Sequence, residues 1–392
     1  MPSVGPVVYT IYVNGVLSNE FPVDIELRQA WGQHDIFYIR IEYKKMITYN
    51  NKSLWPNNAA IRIIWGQAPS NLQIWYGYVN HHTIDANSDS GSNVMQVTYT
   101  CTGTSKPMNT DKTRTWGEVT GTYLAKKIAS EYGFRAILSQ TDWVLPYEVQ
   151  SNESDFHFLN RIADKVGYRF WVSGGTLYFI DPIVVLQGSG GQGVPTFYLD
   201  KSFLYMDTVR NFNMSLGDNI PGGAQTIRNI YGIDEATGMP FNIKANNATA
   251  TTNVSQITTE WPVATINEAQ NLVNAWQGRS QFWLAATAEL YGTSYLYPGK
   301  LVYLQGNQLN KEALGYWIVA SADHVMRTSG TSNPTNDRYV TYVELIKNET
   351  NILPKLKNIQ KISPEFTTCN TISGIWKSTN QSVVYDNGPT GG

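Results

Sequence analysis

Along residues 7–101, apolar and polar positions alternate with the period of two that places every second side chain on one face of a strand. Val7–Val13 alternates and meets Asn14-Gly15, a two-residue hairpin turn, before Val16–Glu20. In Ile36–Tyr43, Phe37, Ile39, Ile41 and Tyr43 share one face, and Tyr38, Arg40 and Glu42 the other. Ile61–Trp65, Leu72–Val79 and Val94–Cys101 continue the series, with Gly, Pro, Asn and Ser clusters between them. Several short strands with regular turn signals predict a barrel or sandwich over residues 1–105, since closure removes most of the exposed edge.

Over residues 106–185 the period changes, and a compact α+β module is predicted. Thr115-Trp116-Gly117-Glu118 has the form of a capping box. It predicts a helix carrying Val119, Leu124, Ile128 and Tyr132 and stopping at Gly133. From Tyr147 to Pro182 the pattern reads as a strand, a helix and a hairpin. Ser154 or Asp155 can cap that helix. Phe158, Leu159, Ile162, Ala163 and Val166 form its apolar face, and Gly167 supplies a left-handed stop. Tyr168–Val172 and Thr176–Ile180 then flank Ser173-Gly174-Gly175.

The Gly-rich stretch at 186–195 reads as a linker. Strands resume from Thr196 through Tyr231, in a second β domain over 196–348. Residues 238–261 are expected to be an irregular surface insertion. Thr265-Ile266-Asn267-Glu268 is a second capping box, and Ala269, Leu272, Val273 and Trp276 follow at helical spacing. Leu301–Leu304, Gly315–Ala320 and Arg338–Ile346 are strand-like. Residues 349–392, rich in Pro, Asn and Thr, are expected to form an extended arm. The fold class is therefore mainly β with an α+β insertion, a β domain lying on each side of the module in a quasi-duplication.

Composition narrows the class. The chain has 392 residues, 42% of them hydrophobic and 12% aromatic, enough for several cores. Charged residues make up 15%, below the roughly 25% of ordinary soluble domains, so Asn, Thr, Ser and Gln must cover the surface. A net charge of −2 gives no global attraction to nucleic acid or anionic lipid. Lys355–Lys361, in the arm, is the one modest basic cluster. No apolar run is long enough to span a bilayer, and Met1–Pro6 lacks the start of a cleaved signal, which predicts a chain that begins in the cytosol or leaves by a route other than a cleaved signal. Cys101 and Cys369 are too few for a stapled framework, and sequence leaves open whether each is free.

Candidate chemistry is sparse. His81-His82 would point to opposite faces of a strand, which opposes joint metal ligation. Ser321, Asp323 and His324 contain the residue types of a hydrolytic triad, but no strained nucleophile turn accompanies them. His157, between Phe156 and Phe158, is expected to face solvent or an interface. Glu148, Glu153 and Asp155 are residues of the kind glycosidases pair, yet helix capping already accounts for Asp155. The glycines at 188–193 lack the Lys-Ser/Thr of a phosphate loop. No catalytic, cofactor-binding or metal site is assigned, and no cofactor is expected. Exposed Trp and Tyr keep a carbohydrate-binding or adhesin-like protein as one alternative, and a cell-wall hydrolase as another.

Three stretches carry a family resemblance over residues 115–348. The first is Glu148 with Ser154-Asp155, Phe158-Leu159, Arg161-Ile162-Ala163 and Gly167, followed by the aromatic hairpin. The second runs from Glu268 to Trp276 and through Gly292 to Leu296-Tyr297-Pro298-Gly299-Lys300-Leu301-Val302. The third is Gly315-Tyr316-Trp317-Ile318-Val319 with Asp323-His324-Val325, then Tyr339-Val340-Thr341-Tyr342 and Leu345. In order and spacing they resemble the phage tail baseplate hub family, which includes late control protein D, the central hub of contractile phages and the N-terminal half of VgrG. The resemblance implies two tube-like β-barrel domains flanking the module. It also implies a homotrimeric ring of pseudo-sixfold symmetry that adapts a sixfold tail tube to a threefold spike and passes DNA through its lumen. The implied partners are a tail tube or distal tail protein, a spike or tip protein and baseplate wedge proteins, with genomic DNA only as cargo and no membrane insertion. The implied location is the virion tail baseplate, assembled in the host cytoplasm. VgrG proteins continue into a β-helical spike; this chain does not, which favours a separate spike protein.

Overall fold

The structure, a computed structural model, describes residues 7–43, 54–67, 71–87, 94–182, 194–199, 208–216, 227–244, 255–257, 263, 265–280, 282, 284–306, 312–327 and 338–347. The expected arm at 349–392 with Cys369 and Lys355–Lys361, the Gly-rich run at 188–193, and residues 245–254 and 258–261 of the expected insertion lie outside the described residues.

The first β unit contains β1 (Val7–Val13), β2 (Val16–Leu17), β3 (Pro22–Ala30), β4 (Ile36–Tyr43), β5 (Ala60–Gln67), β6 (Asn71–Asn87) and β7 (Val94–Gly103). Asn14 and Gly15 take φ of 49° and 81°, the positive values that a tight hairpin turn requires. The antiparallel order is β3-β4-β7-β6-β5-β1-β2. The alternation in β4 is realised as read: Phe37, Ile39, Ile41 and Tyr43 are buried with Trp65 and Tyr99 in one core. β3 was not among the expected strands. Its inward positions Ile25, Leu27 and Gln29 alternate with Asp24, Glu26 and Arg28, and a buried glutamine interrupts the apolar period.

The module follows. It holds a 3-10 turn (Lys106–Asn109), β8 (Asp111–Thr120), α1 (Gly121–Glu131), β9 (Arg135–Leu138), β10 (Val144–Ser154), α2 (Asp155–Val166), β11 (Arg169–Ser173) and β12 (Thr176–Ile180). β8 pairs with β10, while β11, β12 and β9 form a second small sheet in which β9 runs parallel to β12. The expected helix start at Thr115–Glu118 is corrected: β8 runs through it, and α1 begins five residues later. Thr120 is the cap, its hydroxyl accepting from the Tyr123 N–H at 3.2 Å. The helix stops where expected, at Gly133 with φ of 68°. For α2, Ser154 is the cap, accepting from the His157 N–H at 3.2 Å, and Gly167 is left-handed with φ of 81°. Leu124, Ile128, Phe158, Leu159, Ile162 and Phe179 close a core between the helices and the small sheet. At about 1.5–3 kcal/mol for each large apolar side chain buried, this packing and not helix propensity holds α1 and α2.

The second β unit contains β13 (Thr196–Tyr198), β14 (Val209–Leu216), β15 (Ile227–Ile233), β16 (Pro240–Lys244), β17 (Ser255–Ile257), α3 (Ile266–Ser280), β18 (Leu284–Tyr291), β19 (Leu301–Gln305), β20 (Gly315–Arg327) and β21 (Arg338–Lys347). Residues 238–261, expected to be irregular, contain β16 and β17, which join β15 in a three-stranded sheet. Ile230 and Phe241 of that sheet pack on Ala269, Leu272 and Val273 of α3, so the polar composition conceals a sheet with one dry face. Thr265 caps α3 as expected, accepting from the Glu268 N–H at 3.1 Å.

The two β units share one hydrogen-bonded sheet through β20. Residues Gly315–Ile318 pair with β19, Ser321–Arg327 pair with β3, and β21 runs along the other edge. A register shift between Val319 and Ser321 marks the change of neighbour. Trp317, Val319 and Ala322 enter the second core, whereas Met326 enters the first. One strand therefore fixes the two cores relative to each other.

Candidate functional site

The sequence candidates separate in space. On β6, His81 is exposed while His82 lies beside Tyr99 with ring centroids 5.8 Å apart, so the two rings leave opposite faces. On β20, Ser321 and Asp323 line a shallow outer groove with Asn211, Glu289, Tyr342 and Glu344, and His324 points into the core. His324 Nε2 faces the Leu296 carbonyl at 2.9 Å, which makes Nε2 the protonated nitrogen. Its Nδ1 then accepts from Thr341 at 3.2 Å and Tyr339 at 3.1 Å. Burial pushes its pKa down to about 4. No triad forms. Among the described residues, no cluster of three or more His, Cys, Asp or Glu is placed to hold a metal ion. Cys101 is a buried free thiol whose pKa burial raises to about 12.

The three carboxylates near α2 are committed to cations. Asp155, at the first turn of α2, receives Lys112 Nζ at 2.6 Å, Tyr132 Oη at 2.6 Å, Gln150 Nε2 at 2.8 Å and the Arg114 guanidinium. Burial raises its pKa, but these donors and cations outweigh that and hold it below the ordinary carboxylate value. Arg161 reaches Glu148 at 3.2 Å and Glu153 at 3.0 Å. Lys165 bridges Glu148 at 2.7 Å and Glu268 at 3.0 Å, with all three side chains at most 7% exposed. That bridge ties α2 to α3. A charge group of this kind is costly to break, because removing one partner leaves an uncompensated buried charge.

Sequence reasoning missed the place where the module meets both β units. The turn between β3 and β4, Trp31–Asp35, lies against β11. The Gly32 N–H donates to the Phe170 carbonyl at 2.7 Å, and His34 bridges to Val172. The His34 ring stacks on Phe156 with centroids 3.7 Å apart, and its nitrogens meet Ser105 and Asn109 at 2.6 and 2.7 Å. Trp31 lies 6.3 Å from Trp171, which packs flat on Tyr178 at 4.5 Å. A Cβ on Gly299 would come within 2.7 Å of that Trp171 ring. The one signal in sequence was a His-Asp pair set directly before a strongly alternating strand.

No family model and no curated protein matches the sequence. Solved structures do match. The 43 kDa tail protein of prophage MuSo2 from Shewanella oneidensis aligns with a TM-score of 0.65 at 11% identity, over 88% of this chain and 99% of that one. A tail protein from Neisseria meningitidis aligns with a TM-score of 0.62 at 11% identity, over 88% and 98%. This chain has the fold of phage tail proteins. An Escherichia coli component of the type VI secretion system, itself similar in structure to the T4 tail proteins gp27 and gp5, shares the tail-protein fold with a TM-score of 0.56 at 11% identity, over 86% of this chain and 77% of that one. At such identity the likeness speaks for the tail-protein fold and leaves residue chemistry to the geometry above.

Proposed function

We propose that this chain is a structural protein of a phage tail and serves there as the baseplate hub. The observation that carries the reading is the end-to-end likeness to tail proteins, over 88% of this chain and 99% of the first neighbour. The single sheet joining both β units supports the hub assignment. It makes each chain a rigid body with two β units, so three chains in a ring would present six to a sixfold tube and three modules to a threefold spike. In this reading the partners are a tube or distal tail protein, a spike or tip protein and wedge proteins, and DNA passes through the lumen. The protein resides in the virion tail after assembly in the host cytoplasm. Its work is mechanical, which agrees with carboxylates bound to cations and a histidine sealed in the core. Mass photometry of the purified chain, alone and with its tube and spike proteins, tests this. The expected result is a trimer, or a monomer that trimerises with its spike. A strict monomer that binds glycans and ignores tube and spike would replace the hub by the adhesin-like alternative.

A further inference from the structure

The contact between the first β unit and the module holds a carboxyl group that neither core needs. Asp35 is 1% exposed. Its Oδ2 accepts from Gln29 Nε2 of β3 at 3.0 Å and from Ser173 Oγ of β11 at 2.7 Å, while Gln29 Nε2 also lies 2.9 Å from Ser173 Oγ. Three side chains from two folding units thus close one small polar cluster. Its surroundings are neutral. The Trp75 indole of β6 lies close enough to favour the ionised form but outside hydrogen-bond geometry, and Asp35 acts in turn on the Tyr178 phenol of β12. Arg135 acts on Tyr178, and among the described residues no Lys or Arg is among the groups that act on Asp35. At the same contact the Arg169 guanidinium of β11 lies over the Trp31 ring, and the His34 and His157 rings lie on the Phe156 side. The cores on either side share no residue, and the cluster spans the contact between them.

We propose that Asp35, Gln29 and Ser173 form a proton-dependent latch, closed when the Asp35 carboxyl is neutral, that sets how firmly the α+β module is held on the first β unit. Burial raises the Asp35 pKa from 3.8 to about 7, and the two donors only partly offset it. The sign follows from linkage. The closed contact binds a proton that the opened contact, with Asp35 in water, releases near its ordinary value. Stability of the contact is therefore complete at low pH and is lost as pH rises toward 7, where the buried group itself ionises. The latch needs no ligand. It responds as pH rises toward 7.

Hydrogen exchange on the full-length protein tests the latch, with rates corrected for intrinsic pH dependence. Between about pH 6 and about pH 8.5, opening measured at β11 and the start of β4 should rise about tenfold. Opening along β18 and β21 should stay level. Asp35→Asn should abolish the rise. Ser173→Ala removes a donor to the ionised form, so the Asp35 pKa climbs further and the rise over the same window should exceed tenfold. A flat wild-type profile at β11, or an Asp35→Asn protein that keeps the wild-type slope, would overturn the proposal. If Asp35→Asn does not fold, Ser173→Ala decides alone, and a slope no steeper than wild type overturns it.

Discussion

His324 offers a quantitative test of whether β20 is a joint between cores or the edge of a reactive site. Its ring lies edge-on to Trp65 of the first unit, with centroids 5.0 Å apart, and bonds to Leu296, Thr341 and Tyr339 of the second. Burial lowers its pKa from 6.5 to about 4. Unfolding exposes the ring and restores its ordinary affinity, so the unfolded chain binds the extra proton as pH falls. Stability is fully present above about pH 6.5 and drains away as pH drops toward 4. The shift of about 2.5 units, at about 1.4 kcal/mol each, makes roughly 3 kcal/mol in all, of which about 2 kcal/mol is lost by pH 5. His324→Gln keeps a donor and an acceptor but cannot titrate. Urea denaturation of both proteins at fixed concentration, at about pH 7.5 and about pH 5, isolates the effect, because every other titrating group is common to the pair. The variant should be the less stable at pH 7.5, and the gap should move in its favour by about 2 kcal/mol at pH 5. An unchanged gap would mean that His324 is hydrated or charged in the folded protein, and the joint would then be misassigned.

Other perturbations follow from the same contacts. Lys165→Met leaves Glu148 and Glu268 without the cation they share and should lower stability by about 3–5 kcal/mol in denaturant titration. Adding Glu268→Gln to Lys165→Met should recover part of that loss, and no recovery would show that the bridge is not what joins α2 to α3. Gly167→Ala forces a left-handed residue to carry a Cβ 2.9 Å from the Ala275 carbonyl oxygen. The conformational part alone should cost roughly 1–2 kcal/mol, read as a lower melting temperature.

Legibility from sequence tracked how local each cause was. β1 and β4 occupy the spans read from alternation alone, because their period and turn residues lie within each segment. β3 was invisible for the opposite reason: its partner β20 is far along the chain, and Gln29 faces inward to reach Asp35 and Ser173 rather than to extend an apolar face. The Thr115–Glu118 motif misled because a capping box is a short pattern, and the ladder to β10 prevailed there; Glu118 even takes φ of 50° within the strand. Ser154, Thr265 and Gly167 read correctly, since cap chemistry is local when the helix that follows is real. Of the polar candidates, the opposed faces of His81 and His82 were foreseeable from strand period. The ion bridge from Glu148 through Lys165 to Glu268 was not, because it joins residues more than a hundred positions apart.

The most direct test of the hub reading is cryo-electron microscopy of the protein assembled with its tube and spike partners. The account predicts a threefold ring in which six similar β units surround a continuous channel, with the α+β modules repeated three times. A monomeric particle, or a ring built from six copies of this chain, would contradict it.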